Sequence, residues 1–397
     1  MDYATAQALV SSQGQRALTA AAALEHPDSL AAAEAMRRDF PAQLAAAATT
    51  QVELRRAGRT KLGDRAATLL WTRDGLEQAT RADVARWRAA AMVEAHVRRV
   101  VDLGCGIGAD ALAFLDAGLQ VVAVEIDPAT ALLAEHNLPG AEVICGDATQ
   151  LAAGLLAGAG PESCVFLDPA RRTERGRSWR VEDLRPSWGF LLGLLGHEYG
   201  LCAKLGPGVA LDMLPAQVDA RWVSEHGDLV ECGLWALPGA GAGGRPDTGR
   251  RSAVLLPEGL EVDADPGDAE LPVAPPGRHL YEPDPAVSRA GALAAIGEGL
   301  WRLDPRVAYL SSEELVETPL ARTFEVLEVL DPDIRVLRHW VGEHRVGRLE
   351  IKKRAVQIDP AALRRALRPK GPNAATLVLS PTPEGTRAMV VRRLPRG

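Results

Sequence analysis

Short apolar runs alternate with helix-like segments in the middle of the chain, from Arg98 to about Pro257. Five runs are strand candidates: RRVVDL, LQVVAVEI, AEVICG, SCVFLD and GVALDML. Between them lie the helix-like segments ADALAFLDAG, PATALLAEHN and LRPSWGFLLGLLG. This alternation predicts an α/β fold with a parallel sheet covered by helices on both faces. Two further strands are predicted at DLVECGLWAL and RRSAVLLP, and the Gly-rich join between them suits an antiparallel hairpin at the sheet edge.

The flanking regions have different patterns. Residues 1–95 are rich in Ala, Leu, Arg and Glu, which predicts a helical N-terminal region with a break at Pro41. The alternating α/β pattern described above is assigned to one domain, residues 96–257. Residues 258–284 are rich in Pro, Gly and Asp and are predicted to form a linker. A small C-terminal α/β domain is predicted over residues 285–397, with strands at RTFEVLEVL, RVGRLEIKKR, ATLVLSP and RAMVVRRL.

Composition narrows the class of protein. The 397 residues are 47% apolar and 24% charged, as in an ordinary globular protein, and no apolar run is long enough for a membrane helix. The cysteines are scattered and show no metal-ligand spacing, so we predict free thiols, a reducing cytoplasm as the location, and no metal site. These cysteines are Cys105, Cys145, Cys164, Cys202 and Cys232.

The net charge of −7 hides an asymmetry. From Ile334 to Gly397 there are 15 Lys and Arg against 4 Asp and Glu, a net of +11, so the rest of the chain carries −18. A basic C-terminal domain on an acidic body points to a polyanionic partner. A solvated basic face without a partner remains an equal alternative on charge alone.

A glycine loop follows the first predicted strand in VVDLGCGIGADALAF. Its glycines, Gly104, Gly106 and Gly108, are spaced G-x-G-x-G, whereas the dinucleotide fingerprint is G-x-G-x-x-G. The loop is also preceded by Asp102, and an anion there would not help to hold a pyrophosphate. It suits instead the ammonium end of S-adenosylmethionine, which is cationic and has no phosphate.

Two more carboxylates end the next strands. Glu125 lies 21 residues past Gly104, where it can accept hydrogen bonds from both ribose hydroxyls, and Asp147 is placed to accept from an adenine amino group. Each acid alone could be a helix cap or a solvated strand end, and Asp147 is the weakest case. Together they predict an S-adenosylmethionine site, to which the neighbouring residues Cys105, Ile126 and Ala148 are also assigned.

The ordered motifs DLGCGIG, VEID, GDA and FLDPAR resemble those of class I S-adenosylmethionine-dependent methyltransferases, over about Val97 to Pro257. The resemblance implies a Rossmann-like, seven-stranded sheet with the cofactor across the carboxyl edge of the first strands. In these enzymes the fourth strand end faces the methyl group, and those acting on exocyclic amines of bases often carry Asn/Asp-Pro-Pro-aromatic there.

This chain has VFLDPARR at the fourth strand end. Asp168 and Pro169 match the first half of that motif, so the resemblance assigns them to orienting a target amine. Ala170 departs from the second half, and no stacking ring follows it; Arg171 and Arg172 are assigned to the substrate, and Trp179 or Trp188 could supply the ring. The alternatives are an N-cap for Asp168 and a solvated loop for the two arginines. Lys204, in AKLGPG, is interpreted as a helix end rather than a residue of the active-site mouth.

The wider chain resembles a bacterial methyltransferase family with a helical N-terminal region and a THUMP-like C-terminal domain. The stretches that carry this resemblance are WTRDGLEQATRADVARWRA, YEPDPAVSRAG and TPLARTFEVLEVL. The core is also similar to RNA guanine-N2 methyltransferases of the trimethylguanosine-synthase type, and THUMP domains bind RNA, usually in tRNA modification. We therefore expect methylation of an exocyclic amine of an RNA base, guanine N2 above all, in tRNA or rRNA. The alternatives are a protein or small-molecule methyltransferase and a non-catalytic RNA-binding protein.

Overall fold

A computed structural model describes residues 1–27, 29–171, 181–237 and 249–395. For Arg171, only the backbone is described, and Arg172 and Trp179 lie outside the described residues. The chain divides into two compact units. The first consists of Met1–Ala220 and Val230–Gly249, and the second of Arg221–Leu229 and Arg250–Gly397.

Helices build the N-terminal part of the first unit, as predicted. Side-chain caps begin several of them: Asp2 accepts a hydrogen bond from the Thr5 amide at 2.7 Å, and Ser11 accepts one from the Gly14 amide at 3.0 Å. The expected break at Pro41 is confirmed, because this proline is the N-cap of α4. The helices are α1 (Tyr3–Val10), α2 (Ser12–Ala22), α3 (Leu30–Asp39), α4 (Ala42–Leu62), α5 (Arg73–Gln78) and α6 (Ala82–Glu94).

A parallel sheet follows. Its first five strands are β1 (Arg99–Leu103), β2 (Gln120–Glu125), β3 (Glu142–Cys145), β4 (Ser163–Leu167) and β7 (Gly200–Leu205). The short β5 (Ala170–Arg171) and β6 (Leu184–Arg185) form a separate two-stranded antiparallel sheet. The five long strands are mutually parallel in the order β3-β2-β1-β4-β7. The intervening helices are α7 (Ala109–Asp116), α8 (Pro128–Asn137), α9 (Ala148–Leu155) and α10 (Trp188–Gly193). Because the strands of a parallel sheet all run in the same direction, the carboxyl ends of neighbouring strands lie at one edge of the sheet.

The core of this unit lies between the sheet and the N-terminal helices. Trp71, Phe114 and Phe166 are fully buried there, and the last two rings meet edge to face with centroids 5.3 Å apart. Three cysteines, Cys164, Cys202 and Cys232, are buried; Cys105 is half-buried and Cys145 exposed, and all five are free thiols. Within the described residues, no group of acids, histidines or cysteines is arranged to hold a metal ion.

Two strand predictions in this region are wrong. The fifth strand is β7, not GVALDML, because Gly206, Pro207 and Gly208 end the strand and a short 3-10 turn occupies Leu211–Met213. The hairpin predicted from the strands on either side of the Gly-rich join is wrong, because these two strands are not neighbours in the sheet. Instead β8 (Asp219–Glu225) and β9 (Asp228–Ala236) are joined by His226 and Gly227, both with positive φ, a two-residue turn of the kind that favours hairpins.

Strand β9 lies antiparallel to β7, so the first unit holds six of the long strands and the expected count of seven is not confirmed within it. In the second unit β10 (Arg251–Leu256) lies beside β8 and pairs with β11 (Leu260–Asp263).

The second unit contains a seven-stranded sheet in the order β13-β14-β12-β15-β18-β17-β16. Its strands are β12 (His279–Pro283), β13 (Trp301–Arg302), β14 (Leu310–Ser312), β15 (Ala321–Leu330), β16 (Val346–Lys353), β17 (Asn373–Thr382) and β18 (Gly385–Arg393). Its helices are α11 (Pro285–Ala290), α12 (Ile334–Glu343) and α13 (Pro360–Leu367). Leucines of α12 and α13, such as Leu337 and Leu363, pack on Ile351 and Leu377 of this sheet. All four strands predicted after Arg322 are present.

The linker prediction for residues 258–284 is wrong in part, because that stretch includes β11 and β12. Leu280 and Tyr281 of β12 are buried, and the strand pairs on both sides, so a Pro-rich stretch still supplies a central strand. Pro283 is tolerated because it is the last residue of the strand. The helix predicted after it ends early, at Ala290, since Gly291 has φ 79° and caps it. No helix among the described residues is long and apolar enough to span a membrane.

Candidate cofactor and methyl-transfer site

The glycine loop connects β1 to α7. Gly104, Gly106 and Gly108 have φ values of 111°, 57° and 89°, a region that L side chains rarely adopt. A Cβ on Gly108 would lie 2.8 Å from Leu138, so this glycine permits close packing of the loop on α8. A Cβ on Gly104 or Gly106 would meet no protein atom within 4 Å. These two glycines therefore keep the backbone open to a ligand rather than to the protein.

Asp102 lies in β1, directly before this loop, and is 1% exposed. Among the described residues, neither oxygen of its carboxylate has a hydrogen-bond partner. Burial raises the pKa of Asp102 well above its ordinary value, and the nearby carboxylates of Asp110, Asp168 and Glu125 raise it further. A buried carboxylate with unused acceptors fits a cationic ligand such as the ammonium group of S-adenosylmethionine.

Glu125 ends β2 on the other side of the loop. Its Oε2 accepts a hydrogen bond from the Gly106 amide at 3.0 Å, and its Oε1 accepts one from the Asp127 amide at 2.8 Å. The carboxylate thus holds the glycine loop in place, and each oxygen keeps a second lone pair for a hydroxyl donor. The next residue, Ile126, is 66% exposed, an apolar surface directly beside the loop. Burial also raises the pKa of the Cys105 thiol, which keeps it protonated.

Asp147 is the N-cap of α9. Its Oδ1 accepts hydrogen bonds from the amide and the hydroxyl of Thr149, at 2.8 and 2.7 Å, and these bonds lower its pKa. The capping role that the sequence left open for this residue is therefore present. Ala148, the first residue of α9, is half-buried beside it. Contact of either residue with adenine stays a prediction.

Asp168 directly follows β4, and Lys204 lies in the neighbouring strand β7. The Lys204 ammonium donates to Oδ2 of Asp168 and, at 2.9 Å, to the hydroxyl of Thr80. Burial opposes the charge of Lys204, but the carboxylates of Asp168, Asp110 and Glu231 prevail and raise its pKa. The interpretation of Lys204 as a helix end is wrong, because the residue lies in β7, and its half-buried ammonium contacts the predicted catalytic carboxylate.

A buried polar chain continues behind Thr80. The Thr80 hydroxyl donates to Oδ2 of Asp110 at 2.6 Å, and Asp110 accepts from the guanidinium of Arg88. Arg88 is fully buried, donates also to Glu231, and lies 5.0 Å from the centroid of the Phe166 ring. Burial disfavours its charge, but Glu231 and Asp110 overcome that effect and raise its pKa. Five residues, linked by hydrogen bonds, therefore support Asp168 from inside the protein.

Sequence reasoning missed this chain of residues. The available signals were charges within apolar segments: Lys204 interrupts the buried run GLCAKL, Arg88 lies within a helix of mostly small apolar residues, and Glu231 lies within DLVECGLWA. The sequence predicts that the carboxylates of Asp102, Asp168 and Glu125 share one site, and the last two lie close enough to Asp102 to raise its pKa. Pro169 is buried. Substrate contact by Arg171 and Arg172 stays a prediction.

Comparisons with known proteins agree with this geometry. The sequence matches the methyltransferase domain family over residues 101–155, the THUMP domain-like family over residues 321–393 and a domain family of unknown function over residues 2–58. It is 35% identical over 338 residues to an uncharacterized S-adenosylmethionine-dependent methyltransferase of Mycobacterium tuberculosis, covering 82% of this chain and 90% of that protein. The same match is found in strain H37Rv.

The fold is shared with the crystal structure of a proposed methyltransferase from Porphyromonas gingivalis W83. The TM-score is 0.79 at 23% identity, covering 96% of this chain and 99% of the other. With the curated relatives, these findings identify the methyl donor as S-adenosylmethionine. The chain belongs to the family of S-adenosylmethionine-dependent methyltransferases with a THUMP-like C-terminal domain.

Proposed function

We propose that this enzyme methylates an exocyclic amino group of an RNA base, with the N2 amine of guanine as the favoured target. The observation that carries the proposal is the state of Asp168. Its Oδ2 is bound by Lys204, and its Oδ1 forms no hydrogen bond within the described part of the chain. One carboxylate oxygen is therefore fixed and the other is presented at the carboxyl edge of the sheet, next to Asp102 and the glycine loop.

The residues that face the cofactor each contact a different part of it, according to their charge and shape. Asp102 accepts the ammonium group, Glu125 accepts the ribose hydroxyls while holding the Gly106 amide, and Ile126 covers the adenine with Asp147 and Ala148 at its edge. Gly104, Cys105 and Gly108 complete the backbone turn around the ligand. Bound S-adenosylmethionine supplies an activated methyl group, so the protein has mainly to align the nucleophile with it.

Asp168 aligns the nucleophile. Its Oδ1 and the carbonyl oxygen of Pro169 accept the two N–H groups of an amine, which leaves the nitrogen lone pair facing the methyl group. Lys204 remains protonated, because its pKa is raised, and it therefore acts as an orienting cation rather than a base. A site without a strong free base suits an amine, which attacks while neutral, better than a hydroxyl, which must lose its proton early.

RNA binding is assigned to the second unit. Its helix α13 buries Leu363 and Leu367 and exposes Arg364, Arg365 and Arg368. Other exposed cations in this region are Arg335, Arg338, Arg345, Arg348, Lys353, Arg354 and Lys370. Such a surface binds a phosphate backbone without reading its sequence. The THUMP-like match supports RNA as the partner. We propose tRNA or rRNA in the cytoplasm as that RNA.

Two alternative functions can be distinguished from methylation of RNA. A non-catalytic RNA-binding protein is set aside, because the chain belongs to an enzyme family. An enzyme that methylates proteins or small molecules would not use RNA as its methyl acceptor, so it would transfer no methyl group to total RNA.

The decisive test is transfer of a radiolabelled methyl group from S-adenosylmethionine to total bacterial RNA, followed by digestion to nucleosides. Label in N2-methylguanosine is expected. Label on another base amine would revise the target base, label on ribose would contradict the role assigned to Asp168, and label only in protein would reject the RNA substrate.

A further inference from the structure

Two sequence stretches that the methyl-transfer site leaves unexplained meet in the second unit. They are YEPDPAVSRAG, from residue 281, and TPLAR, from residue 318. Their strands β12 and β15 pair antiparallel, with Glu282 directly opposite Arg322. A cavity of about 120 Å³ opens between these stretches, lined by Gly227, Asp284, Arg354 and three prolines as well as by that pair.

The two acids of this cavity already have partners. Glu282 accepts a hydrogen bond from the Lys352 ammonium at 2.6 Å. Asp284 caps α11, its Oδ1 accepting from the Ala286 amide at 2.9 Å. Their charges are therefore neutralised or engaged, and neither needs a cation from outside.

The two arginines of the cavity, Arg322 and Arg354, differ from the acids because they have no partner of opposite charge in the described part of the chain. Within the described residues, neither Arg322 nor Arg354 forms an ion pair, although Arg354 is a hydrogen-bond partner of the Tyr309 hydroxyl. Arg306, by contrast, is paired with Asp304 at 2.9 Å. Arg322 is half-buried, and its Nη2 lies 3.0 Å from the place that a Cβ on Gly227 would take. Gly227 has φ 84°, so this turn both requires glycine and leaves room for the guanidinium.

We propose that this cavity binds a phosphate group, with Arg322 and Arg354 as the donors. Neither guanidinium is neutralised by a carboxylate among the described residues, and the planar fork of each matches the oxygens of a phosphate. The proline rings give rigid walls, and the volume suits one phosphate with its ester oxygens rather than a whole nucleotide. The source that we favour is a phosphate of the RNA substrate, so this assignment rests in part on the proposed function.

The test compares Arg322→Gln and Arg354→Gln with the wild-type enzyme and with Arg306→Gln, a control that removes a cation outside the cavity. Binding of a single-stranded RNA oligonucleotide is measured by fluorescence anisotropy at several salt concentrations. Each cavity variant should weaken binding by about tenfold and reduce the salt slope by about one. The control should retain the wild-type slope. Arg322→Lys should fall between, because it keeps the charge without the fork.

Calorimetry with inorganic phosphate separates the two proposals. If the wild-type enzyme binds phosphate but not RNA, and Arg322→Gln loses the phosphate binding, the cavity assignment stands and the RNA partner is rejected. RNA binding that is unchanged in both cavity variants, with no phosphate binding by the wild-type enzyme, would overturn the cavity assignment and leave the RNA partner standing.

Discussion

The ammonium of Lys204 and the carboxylate of Asp168 form an ion pair across two adjacent parallel strands, 36 residues apart in the chain. Lys204 is 16% exposed and Asp168 is 32% exposed, so the pair is only partly screened by water. The lysine holds one carboxylate oxygen and leaves the other for a substrate. The orientation of the proposed catalytic carboxylate is thus set by the next strand and, through Thr80, by a buried polar chain.

Replacing the carboxylate itself is the first test. Asp168→Ala should reduce methyl transfer by at least about 100-fold, because the acceptor that orients the amine is lost. Affinity for S-adenosylhomocysteine, measured by calorimetry, should stay close to that of the wild type. The exposed Glu162 is a suitable control for removal of an acid. Retained activity in Asp168→Ala would show that another group orients the nucleophile.

Lys204 is expected to act as a positioning residue. Lys204→Met should lower kcat by about tenfold or more while the KM for S-adenosylmethionine changes little, because the cofactor contacts are elsewhere. Thr80→Val should have a smaller effect in the same direction, and Thr80→Ser, which keeps the hydroxyl, should restore activity. A rise in the KM for S-adenosylmethionine with kcat intact would contradict this role.

Glu125 connects the cofactor to the loop. In Glu125→Ala the Gly106 and Asp127 amides lose their acceptor and the ribose hydroxyls lose theirs, so affinity for S-adenosylhomocysteine should fall by about tenfold or more. Titration calorimetry measures this directly. Replacement of Glu142, an exposed residue of β3, should leave the affinity unchanged. An unaltered dissociation constant for Glu125→Ala would reject the proposed pose.

Asp102 should weaken the fold in the absence of cofactor. Its folded-state pKa is raised above the ordinary value of 3.8, so the associated stability is complete below that pH and is lost as the pH rises through the folded-state pKa. Asp102→Asn removes this dependence. Its Tm relative to the wild type should therefore increase as the pH rises from about 4 towards the folded-state pKa of Asp102, while its affinity for S-adenosylmethionine falls. A constant Tm difference across this range would show that Asp102 ionises without cost.

Arg88 is expected to be structural. Arg88→Met leaves the buried carboxylates of Asp110 and Glu231 unpaired and should lower the free energy of unfolding by about 3–5 kcal/mol in urea titrations. Arg98→Met, which removes an exposed pair with Glu162, is a matched control and should cost at most about 1 kcal/mol. Equal losses in the two variants would mean that the buried network carries no special stability.

The first four strands, the glycine loop and the acids at the strand ends were all predictable from the sequence. Their signals are local: apolar runs, glycines at alternate positions, and a carboxylate where each run stops. Parallel pairing then brings Asp102 and Glu125 to one edge, because equivalent ends of parallel strands lie together. The methyltransferase resemblance rests on these same segments, and the family matches confirm it.

Tertiary structure alone decided the rest. The sequence does not predict the strand at Gly200–Leu205, because Lys204 breaks its apolar pattern. It misplaces the hairpin, because the actual turn consists of only two residues, His226 and Gly227, and is less conspicuous in the sequence than the long Gly-rich join. The support of Asp168 links Lys204 to Thr80 across 124 residues, and Arg88 reaches Glu231 across 143. Local patterns determine where strands and loops form, but which buried charges become partners depends on packing between distant segments, and one sequence does not encode that pairing in any local signal.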